Sequence, residues 1–453
     1  RLRRQEMMKA FRVFLIFFAV FFLPITEARA RVYIDLSAPS VKKLQIAVQE
    51  FRDVSPAPSA DSDRIKKDLL DALDSDIRFS GLFAVTDRAA GLEDPSKSSL
   101  EPDAINFKDW RVTGADALLK GAYSVDKDRI TVEVGFYDCV NEKQVLGRRY
   151  TGSANNPRRL IHYFSDHLYE ELTGRKGIFT TKILFVSGRS GKKEVYMSDY
   201  DGMNARQITF NRSINLSPNW SADGDMMLYT SYKKGQPHLF SLDLRTGRDA
   251  VISEKPGINI GGRFSPDGRQ VAMTLRLSSD KSSEIYLLDL TTGRYRRLTD
   301  NYGIDVSPSW SPDGKKIAFV SDISGNPNIF VLDLNGAPDG GQKDLKRLTF
   351  SGKYNSSPAW SPDGRSIAFA GSENGKTFNI FIMRPNGDDA TRLTFDGNNK
   401  NPSWSPDSRF IVFSSTNNGI SSLYIMRSDG AGLRKLQTGV GNEKTPAWSP
   451  FLE

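Results

Sequence analysis

The sequence predicts an α/β N-terminal domain followed by an all-β six-bladed β-propeller closed by the C-terminal strand. Three observations carry this. An aromatic-Ser-(Pro)-Asp-Gly motif recurs at Trp220 (WSADG), Phe264 (FSPDG), Trp310 (WSPDG), Trp360 (WSPDG) and Trp404 (WSPDS), with a shortened copy at Trp448 (WSP). Its spacing of 44–50 residues is the length of one four-stranded blade, roughly 40–50 residues. Between the motifs, apolar residues alternate with period two and are bounded by Gly, Pro and Asp, a hairpin pattern rather than a helical one.

Taken in chain order, residues 1–30 read as an export signal. Lys9 and Arg12 precede an apolar run from Val13 to Leu23, which Pro24 ends, and Ala28-Arg29-Ala30 follows. Small residues at the first and third positions before a break suit a signal peptidase. The run is short of the ~20 residues that span a bilayer, so no membrane insertion is expected. Cleavage is expected after Ala30, releasing a periplasmic chain that starts at Arg31.

Residues 31–176 lack the repeat and form the α/β domain. Strands are expected at Val32–Leu36, Leu44–Val48, Ala117–Tyr123, Ile130–Tyr137 and Val145–Tyr150. Residues 61–77 read as a helix with Ile65, Leu69, Leu73 and Ile77 on one face. A second helix runs from Pro157 to Leu172, with Gly174 just beyond it. Polar residues 89–102 read as a loop.

Residues 177–453 form the propeller. In each repeat an inner strand ends on the aromatic residue, and a Pro-Asp-Gly turn follows. A second, apolar strand begins near Lys182, Asp225, Arg269, Lys315, Arg365 and Arg409. A third alternates, as in Asn328–Asp333. The outer strand carries Arg-Leu-Thr, as at 297–299, 347–349 and 392–394. The chain enters the repeat at a second strand and leaves after an inner strand, Thr445-Pro446-Ala447-Trp448. The last strand therefore completes the first blade, which closes the ring and removes its edges.

Composition limits the function classes. The formal net charge is +8, but half of it resides in residues 1–30. No dense basic stripe with interleaved aromatics appears, so no nucleic-acid partner is expected. Cys139 is the single cysteine and cannot form an internal disulfide. His162, His167 and His238 are the three histidines. His162 and His167 are five apart, not at the i, i+4 spacing of a helical zinc motif, and no Gly-x-Ser-x-Gly elbow, P-loop or dinucleotide fingerprint is present. Asp199–Asn204 opens like a calcium loop but lacks the terminal Glu and falls where a hairpin turn recurs. No metal and no cofactor are expected, and no enzyme.

A polar segment precedes each inner strand: 212–215, 258–259, 303–305, 353–355, 397–400 and 441–443. All six fall on one face of the ring, and an Asn or Asp recurs in each segment. Two readings stay open: caps that bond their own backbone, or a rim that binds a partner, as loops on rigid scaffolds often do.

The layout resembles the TolB family, periplasmic components of the Tol-Pal system of Gram-negative envelopes. The resemblance spans Arg31 to the C-terminus. It rests on the repeats, on Gly114-Ala115-Asp116-Ala117-Leu118-Leu119-Lys120-Gly121, on the helix holding His162, Asp166 and Leu172-Thr173-Gly174, and on Pro446-Ala447-Trp448-Ser449-Pro450. It implies a monomeric, non-enzymatic scaffold. The loop face would bind a Pal-like lipoprotein through Asn215, Ile258, Asn259, Arg263, Asp305, Val306, Asn355, Asn399 and Glu443. The segment Arg31, Val32, Tyr33, Ile34, Asp35, Leu36 would bind a TolA-like inner-membrane protein by strand addition. The chain departs from the family pattern at Ile258 and Gly261-Gly262-Arg263, where a His and an Ala-Pro pair are expected. The alternatives are a periplasmic propeller enzyme acting on peptides or glycans, and a structural adaptor with other partners.

Overall fold

The computed structural model describes residues 43–57, 61–86, 92, 94, 98–335 and 345–452. The export signal, the segment Arg31–Leu36 and the strand expected there lie outside these residues.

The first part is a mixed sheet. Strands β1 (Leu44–Val48), β2 (Arg52–Asp53), β3 (Phe83–Val85), β4 (Ala117–Asp126), β5 (Arg129–Asp138) and β6 (Lys143–Ser153) lie in the order β3-β1-β4-β5-β6, with β2 pairing to β4. Pairs β1/β3 and β1/β4 are parallel; β4/β5 and β5/β6 are antiparallel. Helices α1 (Ser62–Ser80) and α3 (Arg158–Thr173) pack together against one face. Their apolar stripes are the ones the sequence spacing marks: Ile65, Leu69, Leu73 and Ile77, then Leu160, Ile161, Phe164, Leu168 and Leu172, all buried. Gly81 and Gly174 end these helices in the left-handed conformation, which lacks a steric cost for glycine. Alternation along β4 and β5 turns Leu118 and Tyr137 to the other face. There they join Phe107 and Trp110 of a short helix α2 (Phe107–Val112) and Cys139. Burial pushes the Cys139 thiol up to about 12, so it is an inert apolar group. Sequence periodicity missed α2 and β3 because six and three residues are too few to show a period.

The second part is six four-stranded sheets. Blade 1 joins Glu443–Trp448 to Lys182–Ser187, Glu194–Asp199 and Arg206–Gln207, so the two ends of the ring share one sheet. Register pairs Glu443 with Ser187 and Trp448 with Ile183. Blades 2 to 6 begin with inner strands Asn215–Trp220, Gly257–Phe264, Asp305–Trp310, Tyr354–Trp360 and Asn398–Trp404, each ending on the repeated aromatic. That residue ties blades together. The indole N–H of Trp220 donates to the Ala447 carbonyl at 2.9 Å, Trp310 to Arg263 at 3.1 Å, and Trp404 to Ala359 at 2.9 Å.

The outer strands differ from expectation. They stop at the Arg of Arg-Leu-Thr, as in Tyr295–Arg297 and Leu345–Arg347. Leu298 and Leu348 then turn into the core. The Thr hydroxyl instead accepts the N–H of the second residue of the third strand, Thr299 from Ile285 at 3.0 Å and Thr349 from Ile329 at 2.9 Å.

Every inner strand carries a bulge near its middle. At that point Ser217, Ser307, Ser357, Asn401 and Thr445 have φ between 48° and 59°, and Gly261 has φ 68°. A non-glycine residue there costs on the order of 1 kcal/mol and persists because its surroundings fix it. The bulges line the central channel.

The N-terminal domain rests on blades 1 and 6. Phe79 of α1 stacks on Phe410 with centroids 4.2 Å apart and meets Tyr200 at 5.0 Å. Arg434 lies over the Phe79 ring, and Arg409 over Tyr169. Both parts contribute to one continuous apolar core. These contacts use the second-strand starts and the hairpins between third and outer strands. They therefore lie on the side of the ring opposite the loops that precede the inner strands.

Candidate functional site

The recurring Asn or Asp is the first place where structure revises the sequence reading. Asn215, Asn259, Asp305, Asn355, Asn399 and Glu443 all have 4% or less of their surface exposed. They sit at equivalent register positions, opposite Ser231, Leu275, Ser321, Gly371, Ser415 and Ser187. Each joins the loop leaving one blade to the next. Asn215 donates to Glu194 at 2.8 Å, and Thr209 donates to the same carboxylate at 2.6 Å. Ser253 donates to Asn259 at 2.7 Å. Asn355 donates to Asn328 at 3.2 Å, Asn399 to the Thr394 hydroxyl at 3.0 Å, and Thr438 to Glu443. These six side chains are therefore turned into the joints between blades rather than exposed on the loop face. Ile258 and Val306 are partly buried, and Val306 packs against the core between blades. Arg263 lies in the channel rather than on the loop face.

One joint brings two carboxylates together. Asp305 lies beside Glu284, which is fully buried and accepts from Thr299 at 2.7 Å and Arg297 at 3.0 Å. Burial pushes the Asp305 carboxyl up to about 6, against hydrogen bonds from Ser321, Thr299 and Asn301, with Glu284 adding to the rise. A raised carboxyl destabilises the fold as pH climbs from its unfolded value through about 6. Four of the other five joints use Asn here. Asp305→Asn is therefore expected to stabilise the protein at pH 7 by on the order of 1–2 kcal/mol. The gain should vanish below pH 4, and urea unfolding at the two pH values measures it.

The loop face also exposes large apolar side chains. Phe210, Tyr302, Phe350 and Phe395 are 70–85% exposed, and Ile214, Ile304 and Tyr354 stand beside them at 39–52%. Phe210, Phe350 and Phe395 directly follow the buried Thr of the outer-strand motif. Arg347 and Arg392 stack on Phe350 and Phe395 at 5.0 and 4.9 Å. Sequence reasoning passed over this crown. Its signal was an aromatic residue in an otherwise polar loop, just past the last position a blade can bury.

A separate polar cluster lies between the two parts. His162 Nδ1 is 2.9 Å from Asp76, and the Tyr200 hydroxyl donates to Asp76 at 2.7 Å. Arg158 pairs with Asp201, and Lys182 with Asp199. His162, Asp199 and Asp201 lie close enough together to suit a cation, but Lys182 and Arg158 already neutralise both carboxylates. Residues 199–204 form a hairpin turn, with Gly202 N–H donating to the Asp199 carbonyl at 2.9 Å.

Comparison with known proteins agrees with this architecture. Residues 169–452 match the model of the TolB beta propeller domain, and residues 32–145 that of the TolB amino-terminal domain. The Tol-Pal system protein TolB of Desulfosudis oleivorans is 39% identical over 267 residues, 58% of this chain and 59% of that protein. Its counterpart from Geobacter sulfurreducens is 41% identical over 220 residues, 48% of this chain and 50% of that protein. The chain thus spans between half and three-fifths of the length of these curated relatives. The crystal structure of TolB from Acinetobacter baumannii has a TM-score of 0.74 and 27% identity, covering 90% of this chain and 97% of that one. With a family model matching more than half its length and a solved relative sharing both parts of the fold, the chain belongs to the TolB family of Tol-Pal system proteins.

Proposed function

We propose that this chain is a periplasmic, non-enzymatic scaffold that links a Pal-like outer-membrane lipoprotein to a TolA-like inner-membrane protein, in support of envelope integrity and cell division. On this reading cleavage after Ala30 releases a monomer whose domains span 31–176 and 177–453. The segment Arg31–Leu36 reaches the TolA-like partner by strand addition, and the loop face holds the Pal-like one.

The observation that carries the reading is the exposed aromatic crown opposite the N-terminal domain. Large apolar side chains left exposed on one face mark interaction surfaces, and aromatic and Arg side chains dominate binding energy in such places. Membership in a Tol-Pal family supplies the class of partner. The residues in contact shift from the buried joints to Phe210, Tyr302, Phe350 and Phe395 and their neighbours.

Titration calorimetry of residues 31–453 with the soluble domain of the same organism's Pal-like lipoprotein tests this. Binding at micromolar affinity or tighter is expected. Phe350→Ala with Phe395→Ala should weaken it at least about tenfold, the scale of a central anchor. Absence of heat at high micromolar concentration, or an unchanged affinity in the double variant, would remove the crown from the account.

A further inference from the structure

The central channel encloses a cavity of about 280 Å³ lined by the inner strands of all six blades. At the position before the terminal aromatic the blades carry Ala447, Asn219, Arg263, Ser309, Ala359 and Ser403. Five of these are small and neutral. Arg263 is the single charged group lining the cavity among the described residues.

Its surroundings do not satisfy it. The guanidinium donates to one carbonyl, that of the adjacent Gly262, at a long 3.5 Å. It is partly accessible through the channel yet heavily desolvated. Burial alone lowers its pKa to about 10, with no carboxylate acting against it. A guanidinium has five donors in a planar fork, and a desolvated charge without a counter-ion is costly. The rest of the lining supplies donors. Ser309 and Ser403 accept from the backbone N–H of Trp360 and Trp448 at 3.1 and 3.0 Å, which leaves their hydroxyl protons to donate. A cation would be repelled here, and an apolar molecule would leave the fork unpaired.

We infer that the propeller channel binds a small oxyanion, a phosphate or a carboxylate, held by the Arg263 fork and the serine hydroxyls around it. Arg matches both groups through paired parallel hydrogen bonds. The cavity is too small for a folded partner, and the inference does not depend on what docks on the crown.

The test is a titration of the chain from Arg31 with sodium phosphate and, separately, sodium acetate, at constant ionic strength. Tryptophan fluorescence is the readout, since Trp310, Trp360 and Trp404 line the cavity. A saturable change below about 10 mM is expected for at least one anion, with a matching rise in unfolding midpoint. Phosphate alone would identify a tetrahedral ligand, and acetate alone a carboxylate. Arg263→Gln should abolish the change while keeping or raising the midpoint without anion, because it removes a desolvated charge. Should that variant misfold, Arg263→Lys retains the charge and loses the fork, and is expected to bind at least about tenfold more weakly. The inference is overturned if neither anion saturates below 10 mM. A glutamine or lysine variant that titrates like the unsubstituted protein overturns it equally.

Discussion

Replacing Asp76 with alanine is expected to lower unfolding free energy by about 3–5 kcal/mol, the cost of removing one partner from a buried pair. Asp76 has 1% of its surface exposed and His162 has 2%. The carboxylate holds both the His162 ring and the Tyr200 hydroxyl. Without it two buried polar groups lose their partner at the joint between the domains. His162 already has its Nε2 without a hydrogen bond. The same pair makes stability depend on pH. Burial opposes charge on His162, but Asp76, then Asp201 and Asp199, outweigh it and raise the pKa above the usual value. Lys182 and Arg158 partly offset those carboxylates, and Arg434 and Tyr200 complete the surroundings. A raised histidine contributes stability fully below about pH 6.5, and the contribution is lost as pH rises through the folded value. Urea unfolding of the parent protein between pH 6 and pH 9 should show this decline. Asp76→Ala should be destabilised throughout and lose most of the slope. A variant as stable as the parent would mean that the Asp76–His162 pair contributes nothing to the joint between the two parts.

Trp448→Ala is the second large effect, at about 3–5 kcal/mol for a buried indole. Trp448 has 5% exposure, packs in the core shared by the two parts, and donates to Thr181 at 2.9 Å. It sits on the strand that closes the ring, so its loss weakens both an element and the closure. Trp360 provides the internal control. It occupies the same repeat position, but its indole N–H reaches the carbonyl of Gly364 in its own turn, at 3.4 Å, and it is only partly buried. Trp360→Ala should cost distinctly less. Equal losses in calorimetric unfolding would mean that all blades contribute alike and that closure carries no special weight.

The ring was legible in the sequence because each blade repeats a local signal. The aromatic at each inner-strand end, the turn after it and the shuffled ends are short-range features, and the observed strands end on those same residues. The helices were legible from their stripes and the glycines that end them. The channel and the interdomain cluster were not, because they are made by residues distant in sequence. Asp76 and His162 are 86 residues apart, and neither position carries a local mark of the other. The joint asparagines show a subtler limit. A recurring polar residue beside a strand has the same pattern whether it faces solvent or a buried carboxylate. Only the packing of one blade's end against the start of the next decides between them. The aromatic crown was overlooked because a single exposed Phe in a loop has no period.

Closure by strand exchange between the ring's two ends has a consequence for the order in which the protein can be made. Lys182 bonds Ser449 across 267 residues, so blade 1 stays one strand short until the whole intervening sequence has reached the compartment where the chain folds. Blades 2 to 6 are each complete before the last strand, Glu443–Trp448, yet the edge at Lys182–Ser187 stays open until that strand pairs with it. An open strand edge invites pairing with other chains. Until the last strand arrives, the chain is therefore most exposed to pairing with other chains at the strand that enters the ring first, Lys182–Ser187.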